Sequence, residues 1–243
     1  MIVSLTITRY RKRYIPFALI AMAAFRLPIR FQQGCTFWQL MGSGKKGTFD
    51  LNPDWQQWAL MACWDKQENF DQFYNTSFIS KWWRFFNTES WTILCEPIQS
   101  HGKWDCKEPF SATVKMDESG PVAVITRATI RIKRMKPFWA SAAKVAELMK
   151  DAKGLVTSFG IGEMPAYKQA TFSIWENTDY MKEFAYRSVD HKEVIQKTKA
   201  ENWYSEELFA RFKPIATFGT LHGADPLKGF PVGPANSLQK ENT

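Results

Sequence analysis

"ALMACWDKQENFDQF", residues 59–73, returns in the same chain as "ATFSIWENTDYMKEF", residues 170–184, with Ala59, Trp64, Asp65 and Phe73 answering to Ala170, Trp175, Glu176 and Phe184. The match extends outward. "RYIPFA" at 13–18 comes back as "RMKPFW" at 134–139, each time after a β-rich run, "IVSLTIT" first and "PVAVITRATIRI" second. "EPIQSHG" at 96–102 has a looser echo in "KPIATFG" at 213–219. A repeat of this length means one structural plan used twice. Each copy reads strand, helix, strand, strand, helix, strand, the helix opening at Pro16 or Pro137, where a missing N–H costs nothing. That order is the ferredoxin-like unit. The predicted fold is therefore α+β, a tandem duplication in which two sheets bury their faces against each other as a barrel with helices outside. The first repeat spans 1–115 and the second 120–222, with the boundary near "KMDESGP"; the Pro/Gly-rich stretch 223–243 is expected to be a flexible tail.

Composition narrows the partners. The 243 residues carry a net charge of +8, which favours acidic partners such as an anionic membrane surface or an acidic protein. Nucleic acid is not expected, because Lys and Arg are spread along the chain without a recognition motif. Eleven Trp and nineteen Phe mean either a heavy aromatic core or the lining of an apolar cavity. Cys35, Cys63, Cys95 and Cys106 form no C-x-x-C pair, so neither a zinc framework nor a thiol redox site is indicated, and a cytoplasmic location is expected. "RYRKRY" followed by "IPFALIAMAAF" has the outline of a leader, but "MIVSLTIT" ahead of it reads as a strand and the apolar run is too short to span a bilayer. "GSGKKG" at 42–47 matches a nucleotide fingerprint in letters, yet "TFDLNPD" after it opens no helix to aim at a phosphate.

One histidine stands out. In "FAYRSVDHKEVI", 184–195, a 3.6-residue period places Tyr180, Phe184, His191, Val194 and Ile195 on one face, with Arg187 one turn before the histidine. His191 then points inward. It is either a core ring satisfied by a carbonyl or carboxylate, or a ligand. His101 and His222 lack ligand spacing to it, so a multi-histidine metal site is not indicated, whereas haem needs one protein nitrogen, apolar walls and cations for its propionates. On "PVAVITRATIRI" the alternation sets Arg127 apart from Val122, Val124, Thr126, Ala128 and Ile130. It is a candidate for the distal side or a propionate, or half of a surface ion pair. Arg187 and Lys168 are further cations for the propionates, and Phe172, Phe184, Ile195 and Trp203 are candidate walls or plain core. Gly160 and Gly162 suggest a strand bend or a close approach.

The strings "FWQLMGSG", "GPVAVITRATIR", "FGIGEMPAYKQATFSIW" and "WYSEELFARF", in this order, resemble the spheroidene monooxygenase family of carotenoid biosynthesis, over about residues 2–220. The resemblance implies a dimeric-α+β-barrel-like fold and a haem b (iron) oxygenase that converts an acyclic carotenoid to a keto product with O2 and electrons from reduced ferredoxin. The matching strings do not include His191; the helix reading places the family's axial ligand there, in the second repeat. The same resemblance is compatible with peripheral contact at the inner membrane surface and with a homo-oligomer. Two rival readings stay open: a cofactor-free monooxygenase of this fold, and a non-catalytic haem or carotenoid carrier. An aldoxime-dehydratase-like or dismutase-like haem enzyme would differ in substrate alone.

Overall fold

The computed structural model describes residues 1–44, 52–114, 120–164, 166–187, 198 and 200–232. The first half runs β1 (Ile2–Tyr10), α1 (Ile15–Ala24), α2 (Arg26–Arg30), β2 (Cys35–Gly44), β3 (Pro53–Trp64), α3 (Gln67–Thr76), α4 (Phe78–Phe86) and β4 (Asn87–Gly102). The second runs β5 (Val122–Ile130), α5 (Met135–Lys150), β6 (Leu155–Met164), β7 (Lys168–Trp175), α6 (Thr178–Arg187) and β8 (Tyr204–Gly219). The eight strands close in the order β1-β3-β2-β6-β7-β5-β8-β4, so each half contributes an antiparallel sheet of ferredoxin-like order. The repeat is visible in the register. Ile2 faces Trp64 across β1 and β3, and Val122 faces Trp175 across β5 and β7.

Two seams join the halves, and they differ. β4 and β8 pair along most of their length, from Trp91 opposite Gly219 to Gly102 opposite Leu208. Between β2 and β6 the described pairing is Gly42 with Gly162 and Ser43 with Ile161. Gly162 is there for close approach, since a Cβ would lie 2.8 Å from the Lys168 carbonyl oxygen. Gly42–Gly44 of the nucleotide-like string are strand, and the rest of that string lies outside the described residues.

Alternation along the strands sends Leu5, Ile7, Met61, Ile93, Ile125, Phe172 and Phe212 into the barrel, where each is at most 1% exposed. The barrel is filled rather than hollow. Cys63 and Cys95 are part of this packing, and burial pushes both thiols up, away from thiolate chemistry. Much of the aromatic surplus is core: Trp64, Trp91, Trp104, Trp175 and Trp203 are fully buried. Each end has a plug. After β4, Trp104 and Phe110 fold in; after β8, Leu221 and Leu227 do so, with Phe230 and Val232 against them. The tail expected from residue 223 is thus packed as far as Val232, held by Asp225, which accepts hydrogen bonds from Trp91 Nε1 at 2.9 Å and Thr217 Oγ1 at 2.6 Å. Among the described residues no helix is long and apolar enough to cross a membrane.

The two plugs start with the same device. Gly102 at φ +87° and Gly219 at φ +75° turn the chain, and a Cβ would lie 2.2 Å from the Glu207 carbonyl oxygen in one and 2.1 Å from that of Ser90 in the other. Each turn is then clamped by a carboxylate from the opposite half. Glu206 accepts from the backbone N–H of Asp105 and Cys106, and Glu89 from those of His222 and Gly223. We expect Gly219→Ala to cost about 2 kcal/mol or more, from the forced positive φ and the clash. Gly120→Ala, whose Cβ would meet nothing within 4 Å, should be near neutral. Urea midpoints of the two variants check this.

Candidate functional site

Arg127 occupies the position that Ile7 holds in the first half, pointing into the barrel, and is 1% exposed. A guanidinium there needs partners. Its Nη1 donates to Glu206, its Nη2 to Asp105 at 3.2 Å, and its Nε and Nη2 to Glu163 at 3.4 Å, while the Trp104 ring lies 5.5 Å away. Lys168 Nζ donates to Asp105 at 2.6 Å and lies 3.6 Å from Glu163, and Gln39 donates to Asp105 at 3.1 Å. The network ties β2, β5, β6, β7, β8 and the loop after β4 at one end of the barrel. In the other half Ile7, Gln57 and Ser43 take the places of Arg127, Lys168 and Glu163, with Gln57 Nε2 donating to Ser43 Oγ at 3.0 Å.

Burial works against the charge on Asp105, but the Lys168 ammonium and Arg127 outweigh it and hold the carboxyl below its usual range. Burial likewise opposes the charge on Glu206, and the two backbone N–H donors with Arg127 again win. Lys168 is held above its usual value: desolvation acts downward, but Asp105 and Glu163 act upward more strongly. The depressed carboxyls stabilise the fold above their ordinary values of 3.8 and 4.5, and that contribution is lost as pH falls below them. The raised lysine stabilises below 10.5 and its share is lost as pH rises beyond that.

The outer faces of the two sheets, under the helices, differ far more than the inner ones. In the first half the middle row across the sheet is Thr92, Thr6, Leu60 and Leu40; in the second it is Phe209, Thr126, Thr171 and Gly160. One row along, Leu94, Ser4, Ala62 and Trp38 become Arg211, Val124, Ser173 and Ser158. Leucine to glycine, leucine to threonine and tryptophan to serine remove side-chain volume from the same area. The consequence is visible in burial. Thr6 is 2% exposed and shares a 2.9 Å hydrogen bond with Thr92, whereas Thr126 is exposed.

The covering layer shows the same gap. In the first half one continuous apolar cluster joins sheet and helices, from Ile2 and Tyr10 through Leu60, Phe73 and Trp83 to Leu94. In the second it is split. At one end Phe138 of α5 packs with Ile130 and Trp203; at the other Met149 of α5 packs with Val122, Trp175 and Phe184, whose ring centroid is 5.2 Å from that of Trp175. Between them Val145 and Ala146 of α5 remain half-buried. Between these two apolar clusters the sheet surface carries the smaller side chains Thr126, Thr171 and Gly160, which marks it as a candidate cleft. At its edge Arg211 is 8% exposed, its guanidinium 5.3 Å from the Phe209 ring, and its buried Nε has no acceptor among the described residues.

The geometry sorts the residues singled out from sequence. Phe184 and Trp203 sit at the two ends of the cleft. Arg127, Lys168 and Phe172 are on the inner face of the sheet, in the ion network and the barrel core, separated from the cleft by the sheet itself. His191, Ile195 and the Arg187 side chain lie outside the described residues. Gly160 was marked for a strand bend or close approach; Arg211, Ser158 and Thr171 were not singled out, although a signal existed: laying Pro97 on Pro214 sets Leu94 opposite Arg211. Among the described residues no three His, Cys, Asp or Glu side chains converge on a metal position.

A single-chain α+β barrel, whose two outer faces carry side chains of different size, is the class that fold and candidate site define. Crystal structures of aldoxime dehydratase share this fold. One superposes with TM-score 0.59 at 9% identity, over 88% of this chain and 80% of that one. Another, in complex with butyraldoxime, gives 0.56 at 12% identity over 88% and 79%. No family model matches the sequence. The spheroidene monooxygenase of Rhodobacter capsulatus is 31% identical over 215 residues, 88% of this chain and 89% of that protein. That of Cereibacter sphaeroides is 36% identical over 207 residues, 85% of this chain, and the matched region spans 64% of that protein's length. The chain belongs to the spheroidene monooxygenase family.

Replacing Arg127 with Met should lower stability at pH 7 by about 3 kcal/mol, because three carboxylates lose their central cation. The deficit should shrink below about pH 4, where those carboxyls take up protons. Urea denaturation of both proteins at the two pH values measures it.

Proposed function

We propose that the chain is a haem-dependent monooxygenase that hydroxylates and ketolates an acyclic, spheroidene-like carotenoid, using O2 and electrons from reduced ferredoxin. The observation that carries this reading is the smaller side chains on the outer face of the second sheet, where the first has Leu40, Leu60 and Trp38 and the second has Gly160, Thr171 and Ser158. A flat macrocycle fits a floor of small side chains between sheet and helix. The Nε of Arg211, without an acceptor among the described residues, suits an anionic edge of such a group. Family membership supports the carotenoid and the monooxygenase chemistry.

In this mechanism the imidazole of His191 would hold the iron and Arg211 would meet a propionate. When bound, haem supplies the redox and O2 chemistry. The protein supplies the rest. Thr126 and Thr171 offer hydroxyls on the floor, and the sealed ends around Phe138 and Trp175 keep water from entering along the sheet. The apolar inner side of α5, with Val145 and Ala146, gives a polyene a surface to lie against. The basic surface favours an acidic ferredoxin, through attraction that salt weakens.

Haem titration followed by absorbance tests the proposal. The wild-type protein should develop a Soret band, and His191→Ala should lose it. The double variant Gly160→Leu/Thr171→Leu, which restores the first half's floor, should fold and fail to take up haem. Arg211→Leu should act in opposite directions on two readouts, weakening haem binding by about ten- to hundredfold while stabilising the apoprotein by about 1 kcal/mol. A wild-type protein that gives no Soret band yet oxidises the carotenoid would establish the cofactor-free alternative.

A further inference from the structure

The run that has the outline of a leader in sequence forms α1 on the outside of the first half. Every residue of Ile15–Ala24 is apolar, yet Ala18 and Ala21 are the buried ones. A helix apolar on all sides belongs in a protein core or against lipid. Here its outward side continues into α2 and α4. Leu19, Ile20, Leu27, Phe31, Phe78 and Phe85 are all exposed, Leu27 at 66%, Phe31 at 79% and Phe85 at 70%. The patch is continuous. Phe17 of α1 stacks on Phe86 at 4.7 Å, Phe25 meets Phe78 at 6.3 Å, and Trp82 lies 5.7 Å from Phe78. Large exposed apolar patches mark interaction sites.

Charge identifies the partner. Lys12, Arg13, Arg26, Arg30 and Lys81 are exposed around these rings. Residues 11–31 and 78–86 contain no Asp or Glu. Apolar side chains rimmed by cations, with aromatic rings among them, match the boundary between lipid headgroups and acyl chains of an anionic bilayer. A second copy of the chain is a poorer occupant, because a twofold contact would bring the same cations face to face.

We infer that the α1–α2–α4 face of the first half is a docking surface for an anionic phospholipid bilayer, which it enters in plane without spanning. The inference stands on this surface and does not need the haem or carotenoid assignment. Vesicle flotation tests it, with phosphatidylcholine alone and with phosphatidylcholine mixed with phosphatidylglycerol. The wild-type protein should float with the mixed vesicles, less so at high salt, and bind the neutral ones weakly. Arg26→Ser/Arg30→Ser should bind the mixed vesicles about 25-fold less tightly, near fivefold per cation. Leu27→Glu/Phe31→Glu should not bind them measurably. Both variants alter exposed side chains, so their circular dichroism melts should match the wild type's. No flotation of the wild type, equal binding to both vesicle types, or unchanged binding by either variant overturns the proposal. So does a dimer in sedimentation velocity that Leu27→Glu/Phe31→Glu dissociates, which would give the face to a second copy.

Discussion

Closure of the barrel along β4 and β8 is the constraint from which the rest follows. Once eight strands pair into a ring this narrow, the inward side chains have to fill it, and they do, with rings and branched aliphatics packed through to the plugs at both ends. Among the described residues these inward side chains occupy the interior. The buried arginine inside is part of the same closure. It stands where the other half has isoleucine, and it is tolerated because three carboxylates from separate elements converge on it.

With the interior committed to stability, the outer faces are where the two repeats diverge. The first carries one continuous apolar cluster beneath its helices and exposed rings on top of them; the second carries smaller side chains and a buried arginine whose Nε has no acceptor among the described residues. The same backbone plan thus serves two purposes. The side chains that decide between them are few: leucine or glycine at one sheet position, leucine or threonine at its neighbour, leucine or arginine on the edge.

The architecture was legible in the sequence because duplication and alternation are local patterns. Trp64 and Trp175 take equivalent places opposite Ile2 and Val122, as the paired strings required. The environment of Arg127 was not legible. Strand alternation separated it from its neighbours, but Asp105 reaches it from a loop and Glu163 and Glu206 from other strands, and no spacing rule encodes that meeting. The ion pairs of Lys168 with Asp105 and Glu163 were not legible for the same reason. Arg211 is a different case, since the repeat alignment itself puts a cation opposite Leu94. The packed stretch after residue 223 reads as a tail because Pro and Gly dominate it; Asp225 and Leu227, which dock it, are two residues among many polar ones.

The reciprocal clamps, Glu206 on the turn after β4 and Glu89 on the turn after β8, tie each repeat to the other's exit. An ancestor made of one repeat would have met this requirement by pairing with itself, and every change on its surface would have appeared twice. Fusion lifted that symmetry. After it, a glycine could hollow one sheet while a leucine kept its twin solid, so division of labour between halves is a freedom that arrived with the covalent link.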